Sequence, residues 1–300
     1  MLIARGETRQ RERPAARPAT SVVDLPDRLA LLLVSPLLLL LLLAYLAPLA
    51  LLIPQSLSAP AVSLAKYTDL ATDPLARAVF LRTFRVAAEV TVLVTLLGYP
   101  TAYLIWRADP RRGVVLLVLV LFPLWTSVLV RNYAWTALLA RNGIVNELLL
   151  AAGVIREPLR LLNTELAVLI GMVHVLVPYA ILPIYTSLRR IDPLYLQASA
   201  ILGAPRLETF RRVVLPLSLP GAIAAAVLVF VLSLGFYITP AILGGPQSLM
   251  VANLIDKQVN YLLDFGAGAA LALVLLALAV ALMAAAYRFF DVDRLLREGT

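Results

Sequence analysis

The sequence predicts an all-α membrane protein with six transmembrane helices, and three observations lead there. Hydrophobic residues make up 61% of the 300 positions and charged residues only 15%, with a mean hydropathy of +0.90. Soluble domains run near 45–50% apolar and about 25% charged. The apolar residues are gathered into long uncharged runs, each able to cross a hydrocarbon core roughly 30 Å thick. The net charge of +8 is carried almost wholly by arginine, since Lys66 and Lys257 are the only lysines, and the arginines flank the apolar runs. That placement points to membrane topology rather than to nucleic acid. The absence of cysteine excludes disulfides, thiol catalysis and thiolate metal sites, and the lone His174 cannot by itself build a zinc site.

Residues 1–28 are polar, with six arginines, and are expected to form a disordered tail. Residues 29–53 carry no charge and make the first span, too long for a cleaved signal segment; Pro36 and Pro48 are candidate bends. A polar connection of ordinary loop character is expected up to Arg82. The second span covers about 84–106 and contains Glu89. The third runs over 113–130 and is followed by Arg131-Asn132-Tyr133-Ala134-Trp135 at an interface. A mixed segment, 141–163, leads to the fourth span, 165–188. The fifth covers about 218–238 and the sixth about 265–287. Between them, 239–264 is weakly polar with Gly and Pro, and is expected to lie at the membrane surface. Together 29–288 make one six-helix domain, and the charged residues 289–300 end the chain.

The segment 189–217 is an arginine-rich passage between the fourth and fifth spans. Asp192 followed by Pro193 reads as an N-cap and first helical residue, and Gly203-Ala204-Pro205 as a stop and restart. The first of the two short helices carries Leu194, Tyr195, Ala198, Ile201 and Leu202. A solvated loop has no use for that surface, whereas a helix that docks into a groove on another protein does. Six spans put both termini on one side. Lys and Arg number six in the tail, three in 107–112, five in 189–212 and three at the C-terminal end, against nine in all other connections. The positive-inside bias therefore predicts that both termini and 189–217 are cytoplasmic.

Gln197-Ala198-Ser199, three residues, Gly203, nine residues and Val213-Val214-Leu215-Pro216 resemble the EAA loop of ABC-importer permeases, E-A-A-x3-G-x9-I-x-L-P. The spacing agrees throughout, with Gln197 at the acidic position and Ser199 at the second alanine. Further similarity lies in Leu97-Gly98-Tyr99-Pro100-Thr101-Ala102-Tyr103, Pro123-Leu124-Trp125-Thr126-Ser127, Arg141-Asn142-Gly143 and Gly171-Met172-Val173 followed by Pro178. These look like the spermidine/putrescine (PotB-like) branch of the binding-protein-dependent permeases. The resemblance implies the type I ABC-importer permease (MetI-like) architecture, with 189–217 as a cytoplasmic coupling helix-turn-helix. It implies a translocation path for a polyamine or similar small cation in the bacterial inner membrane, and coupling to the ATPase through Leu194, Gln197, Ala198, Ser199, Gly203 and Pro216. The implied partners are a dimer of cytoplasmic ATP-binding subunits, a second permease and an extracytoplasmic solute-binding protein. Movement of the docked helix would pass to the fourth and fifth spans.

The residues themselves add to this. No GxxxxGK[ST] sequence occurs, so ATP is expected to be hydrolysed by a separate subunit, and neither cofactor nor metal is expected. Pro100, Pro123, Pro178, Pro183 and Pro220 interrupt spans two to five, which suits helices lining a cavity but is also common in membrane helices generally. Glu89 has two readings: an anion on the path of a cationic solute, or an ordinary partner of Arg85 one turn earlier. Trp125, Tyr179 and Tyr237, with Tyr133 and Trp135, offer cation–π faces or an interfacial aromatic belt. Asp256 and Asp264 are placed on the outer side. His174 is expected to be packed and bonded to a neighbouring helix. The alternatives are the same machinery for another small organic solute, or a secondary transporter working without ATP, which would predict more intramembrane charge pairs and internal repeats.

Overall fold

The computed structural model describes residues 27–59 and 61–290, so the expected N-terminal tail up to residue 26 and the last ten residues of the expected C-terminal tail lie outside the described residues. Asp27 and Arg28, expected in the tail, open a helix. Of the described residues, those up to Ala50 belong to one unit and those from Leu51 to a second. Helix α1, Asp27–Leu57, begins in the first and ends in the second. It is leucine-rich on every side, as a lipid-facing span should be.

In the second unit a two-residue antiparallel ladder, Ser58–Ala59 with Ala61–Val62, precedes α2, Ala65–Thr72. Helix α3 then runs without interruption over Pro74–Arg107. The polar connection expected up to Arg82 is therefore largely helical. Its physical cause is the Asp73–Pro74 pair: the Asp73 carboxylate accepts from the backbone N–H groups of Leu75 at 2.9 Å and Ala76 at 3.3 Å, and proline fills the first helical position. At 1.5 Å per residue, α3 is about 51 Å long, so it reaches well beyond the hydrocarbon core.

Helix α4, Pro110–Leu121, passes through a 3-10 turn, Phe122–Trp125, into α5, Val128–Leu139. The run Pro110–Trp125 meets the run Val128–Ala151 at 94°, so the third span, expected over 113–130, is broken near its end. The break falls at Thr126–Ser127, where ψ turns to 146° and 135°, just after the 3-10 turn that holds Pro123. Helix α6, Ile144–Ala151, follows. Its Asn146 is buried and ties the loop down, donating to the carbonyls of Ala140 and Leu159 and accepting from the Leu159 N–H at 2.9 Å.

Helix α7, Glu165–Arg189, and helix α10, Leu215–Leu234, pack with α3 around the main core. Between α7 and α10 come α8, Pro193–Ile201, α9, Arg206–Thr209, and a π-helical turn, Phe210–Val214. The chain ends in α11, Ile238–Leu243; α12, Val251–Asp256; a second π turn, Lys257–Tyr261; and α13, Phe265–Phe290. The stretch 239–264, expected at the membrane surface, is divided: its first part is packed inside the bundle, whereas Tyr261, Leu262 and Leu263 are exposed. Thr239, Leu243, Met250, Val251 and Asn253 are buried, and Thr83 of α3 accepts a hydrogen bond from the Val251 N–H at 2.9 Å. Buried amide and hydroxyl groups hold this irregular chain inside the helix bundle.

Four single helices among the described residues are long and apolar enough to cross a membrane: 32–57, 165–189, 206–234 and 265–285; the bent pair makes a fifth candidate. Lipid is as apolar as leucine, so the bundle is held by close packing and hydrogen bonds rather than by hydrophobic burial. Gly98 of α3 faces Ala180 of α7, and Gly171 of α7 faces Leu243 and Thr239 of α11. The Tyr99 and Ser218 hydroxyls, 2.6 Å apart, join α3 to α10.

Candidate functional site

Helix α8 begins where the Asp192 carboxylate accepts from the Leu194 N–H at 2.9 Å. It ends at Gly203, whose φ is +73° in the left-handed region, with open space where a Cβ would stand. Its two faces differ. Leu194, Tyr195, Ile201 and Leu202 are 65%, 56%, 86% and 84% exposed. Gln197 and Ala198 are exposed as well, as are Gly203 and Pro216. Ser199 points the other way: it is buried, donates to the Leu196 carbonyl at 2.9 Å and lies 3.1 Å from the Thr209 hydroxyl. Leu196 packs on the core beside it. Of the six residues expected to couple, five are on the surface and Ser199 joins α8 to α9.

The π turn that follows has a local cause. Pro216 carries no N–H and its ring presses on the carbonyl four residues back, at Arg212, so a widened turn lets the helix continue. That turn aims Phe210 at α3. Its ring centroid is 5.2 Å from Tyr103 and 6.1 Å from Tyr99, edge-on to both, and Tyr103 meets Trp106 at 5.8 Å. Phe210 and Thr209 were not singled out from the sequence; Pro216 inside an apolar run was the available signal.

The candidate path residues do not come together: no hydrogen bond, ion pair or ring contact joins any two of Glu89, Trp125, Tyr179 and Tyr237 among the described residues. Glu89 is half-exposed, with Oε1 3.8 Å from Arg85 Nε. Arg85 makes its closer contact across to α7, where Nη2 donates to Glu165 at 2.5–2.6 Å. One guanidinium thus stands between two carboxylates, which leaves the trio one negative charge in excess. From the sequence Glu165 was read only as the start of the fourth span, where an acid directly after Thr164 is a usual helix start, and its pairing with Arg85 was not foreseen. Trp125 is 75% exposed at the end of the 3-10 turn, Tyr179 lies on α7, and Tyr237 just ahead of α11 faces Asp256.

Trp135 Nε1 donates to His174 Nδ1 at 3.1 Å, so His174 is bonded to a neighbouring helix as expected and its proton sits on Nε2. Both line a cavity of about 510 Å³ between α3, α5 and α7, with Leu93, Leu97, Val173 and Val177. No carboxylate borders it. The Asp264 carboxylate pairs with Lys66 at 2.5 Å and accepts from the Ala267 N–H, which together hold its pKa below the ordinary 3.8.

Residues 21–292 match the family model described as binding-protein-dependent transport system inner membrane component. The chain belongs to this family. With several apolar helices besides, it is a multi-pass protein of the inner membrane. It is 33% identical over 227 residues to the spermidine/putrescine transport system permease protein PotB of Haemophilus influenzae, covering 76% of this chain and 79% of that one. The PotB of Escherichia coli is 33% identical over 208 residues, 69% and 75% of the two chains. In fold, the inner-membrane component is similar to a chain of a bacterial ABC transporter involved in import of the polysaccharide alginate. That TM-score is 0.72 at 15% identity, over 89% of this chain and 96% of the other. A chain of the MetNI methionine ABC transporter gives 0.51 at 17%, over 76% and 100%. The architecture is that of the type I ABC-importer permeases.

Proposed function

We propose that this chain is a permease subunit of an ATP-driven ABC importer, and that it forms part of the translocation path for a polyamine or a similar small organic cation. The observation that carries the reading is α8: a capped helix between two spans that keeps Leu194, Tyr195, Ile201 and Leu202 exposed. Those side chains have the character of a helix that lies in a groove of a partner. In this account the groove belongs to a cytoplasmic ATP-binding subunit, present as a dimer, which hydrolyses the ATP. A second permease completes the path, and an extracytoplasmic solute-binding protein delivers the solute. The chain crosses the membrane six times with both termini in the cytoplasm, in keeping with its arginine distribution. The polyamine assignment draws on the names of the PotB relatives and on the acid excess around Arg85.

ATP binding closes the ATPase pair, α8 moves with its groove, and α7 and α10, which flank it in the chain, tilt with it. The path shared with the second permease then opens to the other side. Co-expression with the candidate ATPase tests the docking step. Leu194→Glu combined with Ile201→Glu should abolish co-purification while leaving the permease folded by thermal unfolding. Retained co-purification would remove α8 from the account.

A further inference from the structure

We infer that Phe210 is a positioning residue that carries the displacement of α8 into α3, so that α3 moves as part of the coupling unit together with α7 and α10. The inference rests on the reading of α8 as the ATPase-docking helix. Three contacts form the route. The Ser199 hydroxyl of α8 bridges to Thr209 of α9 at 3.1 Å, so the two short helices are tied behind the exposed face. Thr209 leads directly into the π turn, which presents the Phe210 ring edge-on to Tyr99 and Tyr103. Tyr99 in turn shares a hydrogen bond with Ser218 of α10 at 2.6 Å.

The receiving end is built to bend. Tyr99 and Tyr103 lie on either side of Pro100, inside α3, where the carbonyl of Leu96 has lost its N–H partner. A push on two rings that straddle a proline bends the helix there more readily than it deforms a fully hydrogen-bonded stretch. Glu89 lies on the same helix, ten residues and so about 15 Å from Tyr99, in the part of α3 that precedes Pro100. Motion entering at Phe210 therefore reorients the carboxylate of the candidate path, although Glu89 touches neither α8 nor α9.

The test uses the assembled importer in lipid vesicles, with spermidine as the solute. ATP hydrolysis, spermidine uptake and co-purified ATPase are measured for wild type, Phe210→Ala, Phe210→Tyr and Ser199→Ala. Phe210→Ala should keep the ATPase bound and hydrolysis within about twofold, while uptake per ATP falls about tenfold, the scale of a lost coupling contact. Phe210→Tyr, which keeps the ring, should restore uptake, and Ser199→Ala should give an intermediate loss. A merely structural Phe210 would lower assembly, hydrolysis and uptake together, and that outcome overturns the inference, as does unchanged uptake per ATP in Phe210→Ala. Failure of the wild-type chain to hold any ATPase would instead refute the docking of α8.

Discussion

Gly221 of α10 lies so close to Ser187 of α7 that a Cβ built on it would stand 2.4 Å from the serine Cβ and 2.8 Å from the Pro183 carbonyl oxygen. Real side chains do not approach so closely, so the two helices cross here only because position 221 has no side chain. In a bundle without hydrophobic driving force between helices, such close approach is a main source of cohesion.

Gly221→Ala should therefore force α7 and α10 apart and destabilise the permease by about 1–3 kcal/mol, the usual cost of overpacking a tight site. Thermal unfolding in detergent measures it. Gly235→Ala is the control: Gly235 meets nothing within 4 Å of an added Cβ and has an ordinary φ of −91°, so its variant should unfold near the wild-type temperature.

Gly203 is required for a different reason. Its site is open, but its φ of +73° costs an L-residue about 1–2 kcal/mol. Gly203→Ala should loosen the turn between α8 and α9 by about that amount. Faster proteolysis between α8 and α9 would report it, whereas a large side chain at 203 should do little further harm to folding, since there is room for it.

The ion-pair arrangement around Arg85 makes the two acids interdependent. Glu89→Gln should raise the half-saturation concentration for spermidine uptake about two- to fivefold, the range an exposed pair worth up to about 1 kcal/mol allows. Glu165→Gln should resemble it, because Arg85 is then left to neutralise Glu89 alone. An uptake curve unchanged by both substitutions would make Glu89 a structural partner of Arg85 and nothing more.

Asp264 gives a pH signature. Lys66 and the Ala267 N–H favour its charged form in the folded protein, so the unfolded chain takes up the proton first as pH falls. The stabilisation is fully present above the ordinary carboxylate value near 4 and is lost as pH drops through the lower folded value. The difference in unfolding temperature between wild type and Asp264→Asn should be constant at neutral pH and shrink below about pH 4. A difference that grows on acidification would contradict the pairing.

Local chemistry made much of this legible, and its omissions are equally local. Asp192–Pro193 and Asp73–Pro74 are the same helix-start signature, and both cap a helix through the carboxylate. At 192 it was read as such; at 73 the polar residues around it suggested a loop, so the beginning of α3 was placed too late. The 94° break at Thr126–Ser127 and the π turn before Pro216 have directions that depend on neighbouring helices, which no single segment encodes. Tertiary pairings were beyond reach for the same reason. Glu89 was matched with Arg85 by i, i+4 spacing, yet Arg85 is drawn more strongly to Glu165, 80 positions further on. Ser199 stands in the motif beside Gln197 and Ala198, but helical geometry turns it inward to Thr209.

Import of an organic cation at the expense of ATP, hydrolysed by a subunit docked on α8, can be observed directly. The most direct measurement is uptake of labelled spermidine into vesicles that hold the assembled complex, with the solute-binding protein outside and ATP enclosed. The account predicts accumulation that requires both ATP and the binding protein and disappears in Leu194→Glu/Ile201→Glu. Accumulation of equal extent without ATP, driven by an ion gradient instead, would contradict it.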